Sequence, residues 1–185
     1  GLDFFVSKED EFELPDELKK GFVAFAIGAQ YATKKLPVQK MISILSKCNH
    51  PVVLLGGKED SVISTQIISS LSAKPIFDYC GKLSLRQSAY LVSKSNVLLT
   101  HDTGLMHIAA AFKTPIVSVW GNTIPEFGMY PYMPANTDLY SIHEVVDLKC
   151  RPCSKIGFQA CPKKHFDCMQ KQDEEAIISS IEKRF

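Results

Sequence analysis

The sequence lacks an excess of charge of either sign and any long hydrophobic run. Lysine and arginine total 21 against 20 aspartates and glutamates, for a formal net charge of +1. That balance removes the electrostatic footprint of a nucleic-acid-binding protein, so no nucleic-acid partner is expected and any anion must be caught locally. No stretch reaches the ~20 apolar residues of a membrane-spanning helix. The amino terminus lacks the basic flank and apolar core of a secretion signal, which leads us to expect a cytoplasmic chain. There is no internal repeat, no low-complexity tract and a single tryptophan. What is present is 185 residues, 45% of them hydrophobic, enough for one domain with one sizeable core. Six cysteines occur, four of them between positions 150 and 168. A domain of this size does not need disulfide staples, so a reducing compartment with one cysteine-rich corner is expected.

From Gly21 onward, short β-branched apolar runs alternate with longer stretches of helical period. Strands are expected at 22–27, 52–55, 75–79, 96–100, 116–119 and 139–142, mostly as continuous apolar runs of the kind covered on both faces. Val38, Met41, Ile42 and Leu45 recur at helical spacing, and Ile63, Ile67, Ser70 and Leu71 repeat the stripe one strand later. Ser84 and Gln87 have capping-box spacing. A fourth helix is expected near Gly104, with Leu105, Ile108, Ala109 and Phe112 as its apolar stripe and His107 on the other side, and a further helix at 173–185. The pattern predicts an α/β, Rossmann-like parallel sheet with helices on both faces and the strand-to-helix loops on one ligand-binding rim. Residues 1–20, apolar from Leu2 to Val6 and then acidic, read as a linker or entering strand from another domain, and 21–185 as the domain proper.

The densest chemistry lies in the turn between the fourth strand and its helix. Asp102 or Thr103 is placed to cap the helix, and Gly104 lets a ligand approach the backbone, so the helix amino terminus is a candidate phosphate site. Lys34 or Lys35 falls on the same rim in the loop after the first strand and is suited to neutralising an anion. Gly56 and Gly57, followed by Asp60, end the second strand, and Gly121 to Gly128 form a polar loop after the fifth. Cys150, Cys153, Cys161 and Cys168 meet the ligand count of a structural zinc site, but their spacing suits a disulfide or free thiols equally, and no metal is assigned.

The run His101-Asp-Thr-Gly-Leu-Met-His-Ile-Ala-Ala-Ala111, followed by the stretch from Pro115 to Pro125, resembles the signature of the heptosyltransferase family, glycosyltransferase family nine. Gly28, Ala29, Lys34 and Pro37 look like that family's first donor-side loop, and Leu54 to Asp60 its second. The cysteine-rich segment is similar to its tail. The family's Lys-x-Trp-Pro appears here as Lys34-Lys35-Leu36-Pro37, without the tryptophan.

The resemblance implies the carboxyl-terminal, donor-binding half of a GT-B glycosyltransferase that takes a nucleotide-sugar, ADP-heptose by family precedent, and requires no cofactor. It implies that Lys34 neutralises the diphosphate and Asp102 holds sugar hydroxyls. Thr103, Gly104 and Leu105 would meet the phosphates with His107 close by, and Gly28, Ala29, Asp60 and Thr123 would play secondary parts. The acceptor, of lipopolysaccharide type, and the catalytic base would belong to an amino-terminal half, leaving this chain inactive alone and the full enzyme at the inner membrane face. An epimerase- or hydrolase-like domain, a non-catalytic nucleotide-binding module and a cysteine-based metal or redox domain are the competing readings.

Overall fold

A computed structural model describes all residues from Gly1 to Phe185. Six parallel strands form one sheet: β1 (Val23–Ala26), β2 (Val52–Leu55), β3 (Ile76–Asp78), β4 (Val97–His101), β5 (Ile116–Trp120) and β6 (Tyr140–Glu144), in the order β3-β2-β1-β4-β5-β6. The helices are α1 (Val38–Lys47), α2 (Ser61–Ser70), α3 (Leu85–Lys94), α4 (Gly104–Phe112), α5 (Asp167–Gln170) and α6 (Glu174–Glu182). The expected Rossmann-like sheet is therefore present with every expected strand.

Every residue of β1, β2, β4 and β5 is buried, which is why these strands read as continuous apolar runs. Successive side chains nevertheless enter different cores, as the two-residue period of a strand requires. Val23, Phe25 and Ile27 join Met41, Ile44 and Leu45 of α1 and Ile177 and Ile181 of α6 on one face. Phe22, Ala24 and Ala26 join Leu91 and Val92 of α3 and Met106, Ala109 and Ala110 of α4 on the other.

Local chemistry sets the helix ends. The Ser84 Oγ accepts from Gln87 N–H at 3.2 Å and Gln87 Oε1 accepts from Ser84 N–H at 3.0 Å, completing the capping box that starts α3. Asp173 caps α6 by accepting from Ala176 N–H at 3.0 Å.

Two expectations change. Residues 2–6 form no strand. The first twenty residues make two short 3-10 turns, Lys8–Asp10 and Asp16–Leu18, and lie along the α3 and α4 face, with Phe12 packed on Tyr79 and Tyr90 and Phe4 on Phe112. Helix α4 is rotated from the expected stripe. It buries Met106, Ile108, Ala109 and Ala110, while Leu105 and Phe112 are only partly covered. Packing of α4 against both the sheet and α3 selects the small Ala109–Ala110 face, and this turns Leu105 toward the rim.

The strand order reverses direction between β1 and β4. In such sheets the loops at the carboxyl ends of these two strands separate and leave a crevice, here bounded by the segment after Ala26 and the turn after His101.

Candidate functional site at the carboxyl edge

The loop leaving β1 carries a 3-10 turn, Ala32–Lys34, before Pro37 opens α1. The turn aims Lys34 across the crevice at the end of β4, where its Nζ lies 2.6 Å from Asp102 Oδ2. The two side chains are only 12% and 6% exposed. The next residue points the other way, and Lys35 Nζ stands 3.4 Å from Asp60 Oδ1 beyond β2. One short loop thus supplies two ammonium groups, each matched to a carboxylate on a neighbouring strand end.

Asp102 does not cap α4, because its Oδ2 is occupied by Lys34 and by Thr123 Oγ1 at 3.1 Å. Thr103 holds the N-cap position without a side-chain cap bond, and its hydroxyl meets Thr100 Oγ1 at 3.1 Å instead. Serine, threonine, asparagine or aspartate at such a position ordinarily satisfies one orphan N–H group. Here the first turn of α4 keeps its donors and the positive end of its dipole directed into the crevice. A Cβ on Gly104 would meet nothing within 4 Å, and its φ is not positive. The fold itself therefore has no need for glycine at this position.

Two cavities meet at this helix end and share Gln30, Thr103 and Gly104. The smaller, about 270 Å³, is lined also by Tyr31, Lys34, Asp102 and His107. The larger, about 460 Å³, runs toward β2 and α3 between Ala26, Leu55, Leu83, Leu85 and Leu105 on its apolar side and Glu59, Asp60 and Ser88 on its polar side. A polar, hydrogen-bonding compartment holding the Lys34–Asp102 ion pair therefore adjoins a half-apolar one, with the first turn of α4 at the junction. That division suits a phosphate-bearing group joined to a flat, partly apolar one.

The structure brings Lys34, Asp102, Thr103, Gly104 and His107 to one cavity, and Gly28, Ala29, Asp60 and Leu105 to the adjoining one. Three assignments need correction or refinement. Thr123 is fully buried and holds Asp102, so it supports the site instead of lining it. The Asp60 carboxylate is occupied by Gly57 N–H at 3.0 Å and by Lys35. Gly28 is required because a Cβ there would collide with that same carboxylate. Sequence reading missed Gln30, Tyr31, Glu59, Leu83, Leu85 and Ser88 as lining residues. Gln30, Tyr31, Glu59 and Leu83 carried a signal, from their places in loops expected on the rim, whereas Leu85 and Ser88 lie in a helix and carried none.

The cysteine-rich segment braces the site. The Phe158 carbonyl accepts from Thr33 N–H at 3.1 Å and from Thr33 Oγ1 at 3.0 Å, and Phe158 N–H donates to Thr33 Oγ1 at 2.8 Å. Gly157, at φ +130°, lets the segment lie directly on Tyr31. Arg151 donates to the carbonyls of Gly121, Thr123 and Val145 and pairs with Glu144. All six thiols are free, and no three His, Cys, Asp or Glu side chains converge as metal ligands. Cys150 Sγ lies 3.8 Å from His165 Nε2. Burial, reinforced by the nearby Cys153 and Cys161 thiols, pushes the Cys168 thiol up to about 11.

Comparison with known proteins places this geometry. The family model for glycosyltransferase family 9 (heptosyltransferase) matches residues 4–160. Lipooligosaccharide heptosyltransferase 2 of Campylobacter jejuni is 28% identical over 139 residues, covering 73% of this chain and 41% of that protein. The enzyme of the same name from Haemophilus influenzae is 27% identical over 150 residues, with 75% and 42% covered. A glycosyl transferase family 9 structure from Veillonella parvula superposes with a TM-score of 0.77 at 20% identity, over 100% of this chain and 53% of that one. E. coli ADP-heptose lps heptosyltransferase II superposes at 0.66 and 20% identity, covering 97% and 54%. The chain spans about two-fifths of the length of these sequence relatives. With a matching family model over most of its length, the chain belongs to glycosyltransferase family 9, the heptosyltransferases.

Proposed function

We propose that this chain is the donor half of an inverting heptosyltransferase and binds a nucleotide-sugar, ADP-heptose by kinship, across the two cavities. The observation that carries the reading is the Lys34–Asp102 pair beneath the uncapped first turn of α4. The diphosphate would lie on the Gly104 and Leu105 end of the helix with Lys34 beside it, and Asp102 and His107 would face the sugar. The nucleoside would occupy the larger cavity among Leu55, Leu83, Leu85 and Leu105, near Glu59. Cleavage at the anomeric carbon leaves negative charge on the departing diphosphate. Fixed helix N–H groups and an ammonium can stabilise that charge without a metal.

The acceptor, a lipopolysaccharide core precursor, and the base that deprotonates it would come from an amino-terminal half, and turnover would require both halves. The full enzyme would then work at the cytoplasmic membrane face. No helix in this chain is long and apolar enough to cross a membrane.

Calorimetric titration with ADP, UDP, GDP and ADP-heptose, without divalent metal, tests the reading. Selective binding of ADP and its sugar, lost in Lys34→Ala, is the expected result. Absence of binding to all four overturns it.

A further inference from the structure

His101 ends β4, one residue before Asp102, and is completely buried. Val97 to Leu99 of that strand are aliphatic and Thr100 is a buried hydroxyl bonded to Thr103; an aliphatic residue at 101 would fill the same core without the cost of desolvating an imidazole. Two observations give the histidine a task. Its Nε2 accepts the Leu36 backbone N–H at 3.0 Å, which requires the proton to sit on Nδ1. Its Nδ1 makes no hydrogen bond. A buried group with one nitrogen left unmatched is not what packing alone would select.

The lysine loop is tied down on either side of its two lysines, at Thr33 by Phe158 and at Leu36 by His101. Within the preceding turn, Lys34 N–H donates to the Tyr31 carbonyl at 3.0 Å and Lys35 N–H to the Ala32 carbonyl at 3.1 Å. The Leu36 N–H has only His101, and the Leu36 side chain is itself buried in the core. Immediately upstream, Lys34 and Lys35 diverge toward Asp102 and Asp60. A shift of Leu36 would carry both ammonium groups with it, and geometric error at a charged site is expensive in binding.

We infer that His101 is a positioning residue for the donor site: as a neutral acceptor it fixes the Leu36 N–H and thereby sets where Lys34 and Lys35 present their charges. It touches no ligand itself. The inference rests on the donor-site reading for its consequence in binding, but its structural core, the tether on the lysine loop, stands apart from that reading.

The test compares His101→Leu, which fills the space without an acceptor, with His101→Gln, which returns an acceptor near the Nε2 position. Three measurements are made on each purified variant and on the parent: melting temperature, amide hydrogen exchange across residues 31–37, and calorimetric titration with ADP. In His101→Leu, exchange at 31–37 should rise and ADP affinity should fall, each on the order of tenfold, as expected for loss of one buried hydrogen bond. Exchange elsewhere should be unchanged, and His101→Gln should restore both readouts to within a few-fold. The inference is overturned if His101→Leu keeps the parental exchange pattern. It is also overturned if exchange rises uniformly across the chain as the melting temperature falls, or if the glutamine variant folds but rescues nothing. If the parent chain binds no ADP, the donor reading falls, while the exchange comparison still decides whether His101 holds the loop.

Discussion

Burial of His101 makes the stability of this domain depend on pH in a way that can be worked out in advance. The ring is wholly desolvated, and with Lys35 nearby its pKa is driven from the ordinary 6.5 down to about 4, the Gly28 and Ala26 backbone opposing this in part. Between these values the unfolded chain takes up a proton at position 101 that the folded chain refuses. Stability therefore falls as pH drops through 6.5 and continues to fall until about 4. The full effect is about 3 kcal/mol, at roughly 1.4 kcal/mol for each tenfold change in proton affinity. By pH 5 about 2 kcal/mol of it should be lost, a large share of the 5–15 kcal/mol typical of such domains.

The assay is urea unfolding of the parent and of His101→Gln at intervals from pH 7.5 to 5, a range lying above the ordinary titration of carboxylates. His143, whose pKa is also pushed down by burial, acts in the same direction but equally in both proteins, so it cancels in the difference. The difference in unfolding free energy should close by about 2 kcal/mol on acidification. A difference that changes by less than about 0.5 kcal/mol would refute the reasoning, since it would mean that the folded protein accepts the proton without penalty.

Other substitutions separate fold from site. Gly104→Val projects into open space, so the domain should keep its stability to within about 0.5 kcal/mol while ADP affinity measured by calorimetry falls at least tenfold. Lys34→Ala should do both kinds of damage. It leaves the Asp102 carboxylate buried with only Thr123 as partner, which costs about 3 kcal/mol in urea unfolding in addition to abolishing ADP binding. Gly28→Ala drives a methyl group into the Asp60 carboxylate and should destabilise by about 2 kcal/mol, with part of the loss recovered when Asp60→Ser is added. Native-state thiol labelling at pH 8 should modify Cys150 and Cys161 first. Burial pushes Cys80 up to about 12 and Cys168 up to about 11, so these should react only after unfolding.

Much of this molecule could be read from its residues in order, because the signals involved are local. Continuous apolar runs bounded by glycine, proline and polar turns mark strands buried on both faces, and all six lie within one or two residues of where the sequence puts them. The Ser84–Gln87 box and the Asp173 cap act over three residues, within reach of pattern reading. The rim followed from the alternation of strands and helices, and with it the grouping of Lys34, Asp102, Thr103, Gly104 and His107.

What the sequence could not determine was how groups far apart in the chain use one another. Lys34 and Asp102 are 68 residues apart, and only the placement of β1 beside β4 makes them an ion pair. The same strand order spends Thr123 on Asp102 and brings Lys35 to the Asp60 carboxylate, and it gives Gly28 a steric reason to be glycine. It also sets His101 under Leu36, a contact with no periodic or motif signature. Helix α4 shows the limit most directly: its composition permits several apolar faces, and the partners it packs against chose among them. Periodicity decides which segments become strands and helices, because that information is carried by neighbours in the chain. Pairing of buried charges and hydrogen bonds is decided by strand order and close packing, because each such group must find its partner wherever the fold delivers one.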